Sequence, residues 1–230
     1  MLYYNTNNFK KLGVKMKFKD YKIEEFIYDL SSSSSSPGGG SVAGLIAALS
    51  GSLNSMVYSL TVNKKSFEAL DGDTKKLVLD FKEASSKFSR KSVELMEKDR
   101  EYFNKLMDAY KLPKDTDDEK KKRNLAITQG TIMAMKAPLE LARECYAFYD
   151  NIDIAMKYGN KMLLSDAGCA AILLNAAIES AIVNVKVNLN SLREKDFAKS
   201  IEEELINLQK SSIERKEKIC SIMNNEIYPQ

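Results

Sequence analysis

The chain contains no histidine. That absence removes Ser-His-Asp and Cys-His nucleophile pairs, imidazole metal ligation and an imidazole general base. Acid–base chemistry must therefore run on Asp, Glu, Lys, Tyr or Cys. Cysteine is scarce too: Cys145, Cys169 and Cys220, with no CxxC pair, a pattern that speaks against a zinc knuckle or a redox dithiol. Their scatter reads as reduced thiols, each in an apolar helical context where Cys behaves as a small hydrophobe. With 10 Gly and 4 Pro in 230 residues, few positions interrupt the chain, and long elements are expected. An excess of one charge is also missing: 35 basic residues stand against 32 acidic ones. That near balance argues against a dedicated nucleic-acid surface. The one tight basic run, Lys120-Lys121-Lys122-Arg123, directly follows Asp117-Asp118-Glu119 and reads as a solvated helix start.

Met1 to Lys19 lacks the apolar core of a signal peptide and contains no Arg, so neither secretion nor import is indicated and a cytoplasmic protein is expected. Residues 1–15 read as a disordered N-terminal extension. Residues 16–230 read as a single domain, long enough to bury a core without staples.

Helical periodicity dominates. A short amphipathic helix fits Ile23 to Leu30. A serine tract, Ser31 to Ser36, then runs into Pro37-Gly38-Gly39-Gly40-Ser41, which breaks any helix. No charged residue occurs from Val42 to Leu60, yet Ser50, Ser52, Asn54, Ser55 and Ser59 make the stretch too polar for a membrane span. Ala43, Ala47, Gly51, Ser55 and Ser59 recur every fourth residue. Such a ridge of small side chains lets neighbouring helices approach closely, as in the centre of a bundle. A long helix is expected from about Thr74 to Leu112, with a core stripe through Leu77, Phe81, Ala84, Phe88, Leu95, Tyr102, Leu106 and Ala109. Thr116 and Glu119 have capping-box spacing for the next helix, which Pro138 should kink or break before it resumes at Leu139. Ser165-Asp166 offers an N-cap for a second uncharged, Ala-rich helix, Ala167 to Asn190. A last amphipathic helix spans about Asp196 to Asn224. The fold class is all-α: an antiparallel multi-helix bundle with two small-residue-rich inner helices.

Asp99 falls between Leu95 and Tyr102 on the stripe that faces the core. A carboxylate there is either ion-paired, bonded to a loop, or desolvated with a raised pKa that suits proton transfer. Asp166 sits at a helix start, as a cap or as a functional carboxylate. Asn184 and Asn188 share one face of an otherwise apolar helix, where both amides need partners. The Gly38–Gly40 turn exposes backbone N–H groups at a helix N-terminus, without the Lys-Ser/Thr of a phosphate loop. Lys64 and Lys65 follow the C-terminal end of the same helix, as dipole complements or as contacts for an anion.

Assembled in order, these segments resemble the cyclodeaminase/cyclohydrolase family of folate enzymes. The resemblance covers nearly the whole chain from Lys17. It rests on Pro37-Gly38-Gly39-Gly40-Ser41-Val42-Ala43, on Lys64-Lys65, on Asp99 with Phe103-Asn104, and on Ala109-Tyr110-Lys111-Leu112-Pro113-Lys114. It continues through Ala137-Pro138-Leu139-Glu140, Ser165-Asp166-Ala167-Gly168 and Asn184-Val185-Lys186-Val187-Asn188-Leu189. Lys186 stands where the family commonly has Arg, which loses a planar fork for a carboxylate.

The resemblance implies an all-α homodimer acting on tetrahydrofolate that carries a one-carbon unit. The reaction is cyclodeamination of 5-formiminotetrahydrofolate to 5,10-methenyltetrahydrofolate and ammonia, or hydrolysis of the methenyl form to 10-formyltetrahydrofolate. Asp99 and Asp166 are then the catalytic candidates. Pro37, Gly38, Gly39, Gly40, Ser41, Lys64, Lys65, Asn184, Lys186 and Asn188 are the substrate-binding ones. No metal and no cofactor beyond the folate is implied, and a separate formiminotransferase is a possible supplier. A non-enzymatic helical assembly protein is the alternative, and polar residues on core stripes weigh against it.

Overall fold

A computed structural model describes residues 16–228; the expected extension at 1–15 lies outside them. Among the described residues seven α-helices follow one another and no strand occurs. They are α1 (Ile23–Leu30), α2 (Gly39–Ser59), the single-turn α3 (Lys65–Glu68), α4 (Gly72–Tyr110), α5 (Asp117–Tyr158), α6 (Leu164–Asn190) and α7 (Phe197–Ile227). Helices α2, α4, α5 and α6 pack as a four-membered antiparallel ring, and α7 lies outside against α6 and α5.

Helix α2 owes its central place to its small side chains. Ala43, Ala47 and Gly51 are buried. A Cβ on Gly44 would come within 2.9 Å of the Met96 Cβ, and one on Gly51 within 2.7 Å of the Phe88 ring. The α2 and α4 backbones therefore meet at a distance that only glycine permits. On its other side Ser50 donates to the Ala170 carbonyl of α6 (2.7 Å).

Helix α4 begins at Asp71, whose side chain caps the Thr74 N–H (2.8 Å). Its buried stripe is Val78, Ser85, Phe88, Ser92, Leu95, Met96, Leu106 and Ala109. The expected stripe holds at Phe88, Leu95, Leu106 and Ala109. It fails at Ala84, which is exposed, because the close contact with α2 buries the adjacent Ser85 instead. Ser85 belongs to a buried polar knot: Asn151 Oδ1 accepts from Asn54 (2.8 Å) and Ser85 (2.9 Å), and the Tyr58 hydroxyl donates to the Asn151 carbonyl (2.7 Å). Bonding offsets the cost of burying such groups, and Asn54 Oδ1 is the atom of this knot left without a partner among the described residues.

The capping box at the start of α5 forms, with Thr116 and Glu119 bonding each other's backbone. The break at Pro138 does not occur. Helix α5 runs through it, and Ala134, Ala137, Pro138 and Leu139 are all buried. Packing around this turn outweighs the lost hydrogen bond, a cost of about 3 kcal/mol. Helix α6 starts at Leu164, so Asp166 lies inside its first turn and is not the cap. Helix α7 is fastened by Arg143 to Glu204 (2.6 and 2.7 Å) and by Arg215 to both Asp150 and Asp153.

Two segments, Gly39–Ser59 and Lys161–Asn190, are long and apolar enough to cross a membrane by composition. Both are ring helices of the bundle, with Ser41, Ser50, Asn54 and Asn175 buried among them. Their most apolar windows are nevertheless only 56% buried. Leu49 (49% exposed) and Met56 on α2, with Val183 and Val187 on α6, face outward.

Candidate functional site

The glycine turn, Asp99 and Asn184 meet at one end of the bundle. Pro37 is buried, and Gly38 is the N-cap of α2. No side chain caps this end; the first intrahelical bond runs from Val42 N–H to Gly38 C=O (3.0 Å). The N–H groups of Gly39, Gly40 and Ser41 thus lie at the open, electropositive end of the helix.

The space that a Cβ of Gly40 would need is filled by the Asp99 carboxylate, with Oδ2 only 2.7 Å from that point. A Cβ on Gly39 would lie 3.2 Å from Asn184 Nδ2. Glycine at these two positions allows a carboxylate from α4 and an amide from α6 to close on the helix start. Gly38 has open space around its Cβ position.

Asp99 is half-buried. The Ser41 hydroxyl, itself buried, donates to its Oδ2 (3.2 Å). Burial pushes its pKa from 3.8 up to about 6; the Ser41 hydrogen bond pulls the other way and loses. No ion pair to Asp99 occurs among the described residues, so the ion-paired alternative gives way to the desolvated one. A carboxyl of this pKa exchanges protons readily near neutrality.

The amides of α6 turn inward on their own helix. Asn184 Nδ2 donates to the Ser180 carbonyl (2.8 Å) and Asn188 Nδ2 to the Asn184 carbonyl (3.0 Å). Both stay half-buried, with Asn184 against Gly39. Lys186 is exposed, about 200° around the helix from Asn184, and does not join this cluster.

The remaining candidates collect at the other end. Helices α2 and α6 are antiparallel, with Gly39 beside Asn184 and Ser50 beside Ala170. Asp166 therefore lies about 27 Å along α6 from Asn184. It adjoins Ala167, which packs with Val57 and Tyr58 near the end of α2. Lys64 and Lys65 are exposed just beyond that end. Within one chain Asp99 and Asp166 do not share a pocket. The partnership of Ser41 with Asp99, 58 residues apart, left no signal in the sequence pattern.

Comparison with known proteins gives a consistent answer. The family model described as Formiminotransferase-cyclodeaminase matches residues 22–207. A methenyltetrahydrofolate cyclohydrolase from Methylorubrum extorquens is 34% identical over 205 residues, covering 89% of this chain and 97% of that one. The formimidoyltransferase-cyclodeaminase of Rattus norvegicus is 31% identical over 185 residues, 80% of this chain but 34% of the rat protein. The chain thus spans about a third of the rat relative's length. A crystal structure of formiminotetrahydrofolate cyclodeaminase from Thermotoga maritima has the same fold, with a TM-score of 0.70, 24% identity and coverage of 90% and 96% of the two chains. A family match over 22–207, joined to an all-α bundle that brings the glycine turn, Asp99 and Asn184 together, places this chain in the formiminotransferase-cyclodeaminase family.

Proposed function

We propose that this enzyme acts on the one-carbon unit of tetrahydrofolate, closing 5-formiminotetrahydrofolate to 5,10-methenyltetrahydrofolate with release of ammonia. The observation that carries this reading is Asp99, a desolvated carboxyl with a pKa of about 6 held against the glycine start of α2. Ring closure joins a folate nitrogen to the formimino carbon. The tetrahedral carbon then expels its amino group, and a cationic amidinium remains. One proton must leave the attacking nitrogen and one must reach the departing nitrogen. Asp99 performs both transfers when it starts ionised, and its negative charge faces the cation that develops. The N–H groups at the start of α2 and the Asn184 amide supply polar contacts for the folate heterocycle. No cofactor beyond the folate is invoked.

A second reading is favoured by the near-complete coverage of the Methylorubrum cyclohydrolase. Here water adds to the methenyl carbon, Asp99 takes one of its protons and passes it to the ring nitrogen that leaves, and the second water proton is released to solvent as the hydroxyl becomes the formyl carbonyl of 10-formyltetrahydrofolate. The absorbance of the methenyl chromophore separates the two readings. Its appearance from the formimino substrate, with stoichiometric ammonia, supports cyclodeamination. Decay of the methenyl substrate without formimino turnover supports the hydrolase.

The assembly we favour is a cytoplasmic homodimer joined through α2 and α6. Leu49 stands at the middle of α2, and the exposed apolar residues flank it with no charge on the helix. A two-fold axis near Leu49 would set the Asp166–Lys64 end of one protomer beside the partner's Asp99 end. Asp166 would then orient the ligand or its cation, and Lys64 and Lys65 would meet the folate carboxylates. A separate formiminotransferase is the expected source of substrate. Sedimentation as a monomer at micromolar concentration would remove the dimer.

A further inference from the structure

The bond between Ser41 and Asp99 ties two helices together where the proton chemistry is placed. Ser41 is the third residue of α2 and only 1% exposed. Its hydroxyl reaches across to α4 and donates to Asp99 Oδ2 (3.2 Å). A serine inside a helix more often returns its hydroxyl to its own backbone, as the equally buried Ser92 does at the Phe88 carbonyl (2.9 Å). The other carboxylate oxygen, Oδ1, is the atom nearest the Cβ position of Gly40, so it lies against the open start of α2. No other group supports the charged form of Asp99 among the described residues. Burial pushes its pKa up to about 6 and the Ser41 hydrogen bond pulls it down; no charge on a neighbouring helix enters the balance. Helix α2 has no charged residue. On α6 the nearest charge, Lys186, is exposed on the side away from Asn184. The stretch of α5 beside Asp99 lies between Gly130, which meets Leu106, and Glu140, which holds Lys91 (2.6 Å). Its one charge, Lys136, is exposed. On α4 itself Arg100 turns to Glu97 (2.9 Å), to the Phe18 ring (4.2 Å) and to the Met16 carbonyl (2.8 Å). Lys98 and Glu101 line a surface cleft with Lys17, and Glu101 is held by Lys105 (2.6 Å).

We propose that Ser41 is a positioning residue for the reaction: its hydroxyl holds Asp99 Oδ2 so that Oδ1 exchanges the proton, and it favours the ionised carboxylate that starts the cycle. The proposal rests on the reading of Asp99 as the proton carrier. A desolvated carboxyl that lost this donor would hold its proton more tightly. The base form would then be scarcer at a given pH, and the rising limb of the pH–rate profile would move to higher pH. A hydrogen bond to a charged acceptor is of the stronger kind. Its loss corresponds to a shift of about one pH unit, which is about tenfold in the ionised fraction below the limb.

The test is Ser41→Ala in the full chain, which removes one oxygen and suits a helix. Carboxyl-carbon NMR follows Asp99 in the substrate-free protein, its signal assigned by its loss in Asp99→Asn. The Asp99 titration should move up by about one pH unit in Ser41→Ala. Turnover of the formimino or methenyl substrate should fall about tenfold at about pH 5 and stay within about threefold at about pH 8. Urea unfolding should show Ser41→Ala more destabilising at about pH 8 than at about pH 4, because a carboxyl with a higher folded pKa costs stability as pH rises. In an Asp99→Asn background that pH dependence should vanish. An unmoved Asp99 titration overturns the proposal. So does an equal loss of turnover at every pH, the mark of a serine that only supports the fold. A wild-type chain that turns over neither folate overturns the reaction, and the positioning role with it, even where the titration shift is seen.

Discussion

Replacing Asp99 with Asn separates its chemical role from a structural one, because the two predict opposite signs in stability. The carboxyl sits at a pKa of about 6 in the folded protein instead of 3.8. The folded state therefore holds this proton more tightly than the unfolded chain does. Stability from this group is full at low pH and falls as pH rises from about 4 to about 6, where the folded carboxyl ionises. At about 1.4 kcal/mol per pKa unit, the ionised form costs the folded state about 3 kcal/mol above that range. Asp99→Asn removes the charge, keeps the size and leaves an acceptor for Ser41. At pH 8 the variant should be more stable than wild type by about 1–3 kcal/mol, and at pH 4 the two should be nearly equal. Turnover should fall by about 10²–10⁴-fold, the usual share of general acid–base catalysis. The wild-type rate should rise with pH through about 6, and that limb should vanish in the variant. Urea unfolding at the two pH values and steady-state kinetics give all three readings. A variant destabilised at pH 8 by several kcal/mol would mean that Asp99 serves a cation and not a reaction. A folded variant with wild-type turnover would remove it from the mechanism.

The glycine turn should be graded by what a side chain meets. Gly40→Ala places a methyl on the Asp99 carboxyl and should abolish turnover, whereas Gly38→Ala meets nothing within 4 Å and should keep it; parallel kinetics on the two variants checks this. Gly39→Val crowds Asn184 and should weaken binding of a folate analogue in titration calorimetry while stability changes by about 1–2 kcal/mol. Asn151→Ala strips partners from Asn54, Ser85 and the Phe81 carbonyl in the buried knot while keeping the backbone carbonyl that Tyr58 bonds, so thermal unfolding should show a loss of about 2–4 kcal/mol. Arg143→Ala breaks a bidentate but solvent-facing pair with Glu204 and should cost less than about 1 kcal/mol, shrinking further in high salt.

The features that local chemistry dictates were legible in the sequence. The small-residue ridge of α2, the Thr116–Glu119 box and the core-facing Asp99 each follow from spacing alone. Long-range facts were not. Whether Ala84 or Ser85 enters the core depends on how closely α2 approaches α4, which Gly44 and Gly51 permit but do not announce. Pro138 reads as a break because its local cost is visible, while the packing that offsets it is contributed by other helices. The site divides for the same reason. Asp99 and Asp166 look like a pair in a motif list, yet the antiparallel course of α2, α4 and α6 sends them to opposite ends.

The most direct measurement is a crystal structure of the full chain with 5-formyltetrahydrofolate, a stable mimic of the one-carbon substrate. The account predicts the formyl carbon within hydrogen-bond reach of the Asp99 carboxyl, with the heterocycle against Gly39, Ser41 and Asn184. A ligand whose one-carbon unit lies away from Asp99 would contradict it.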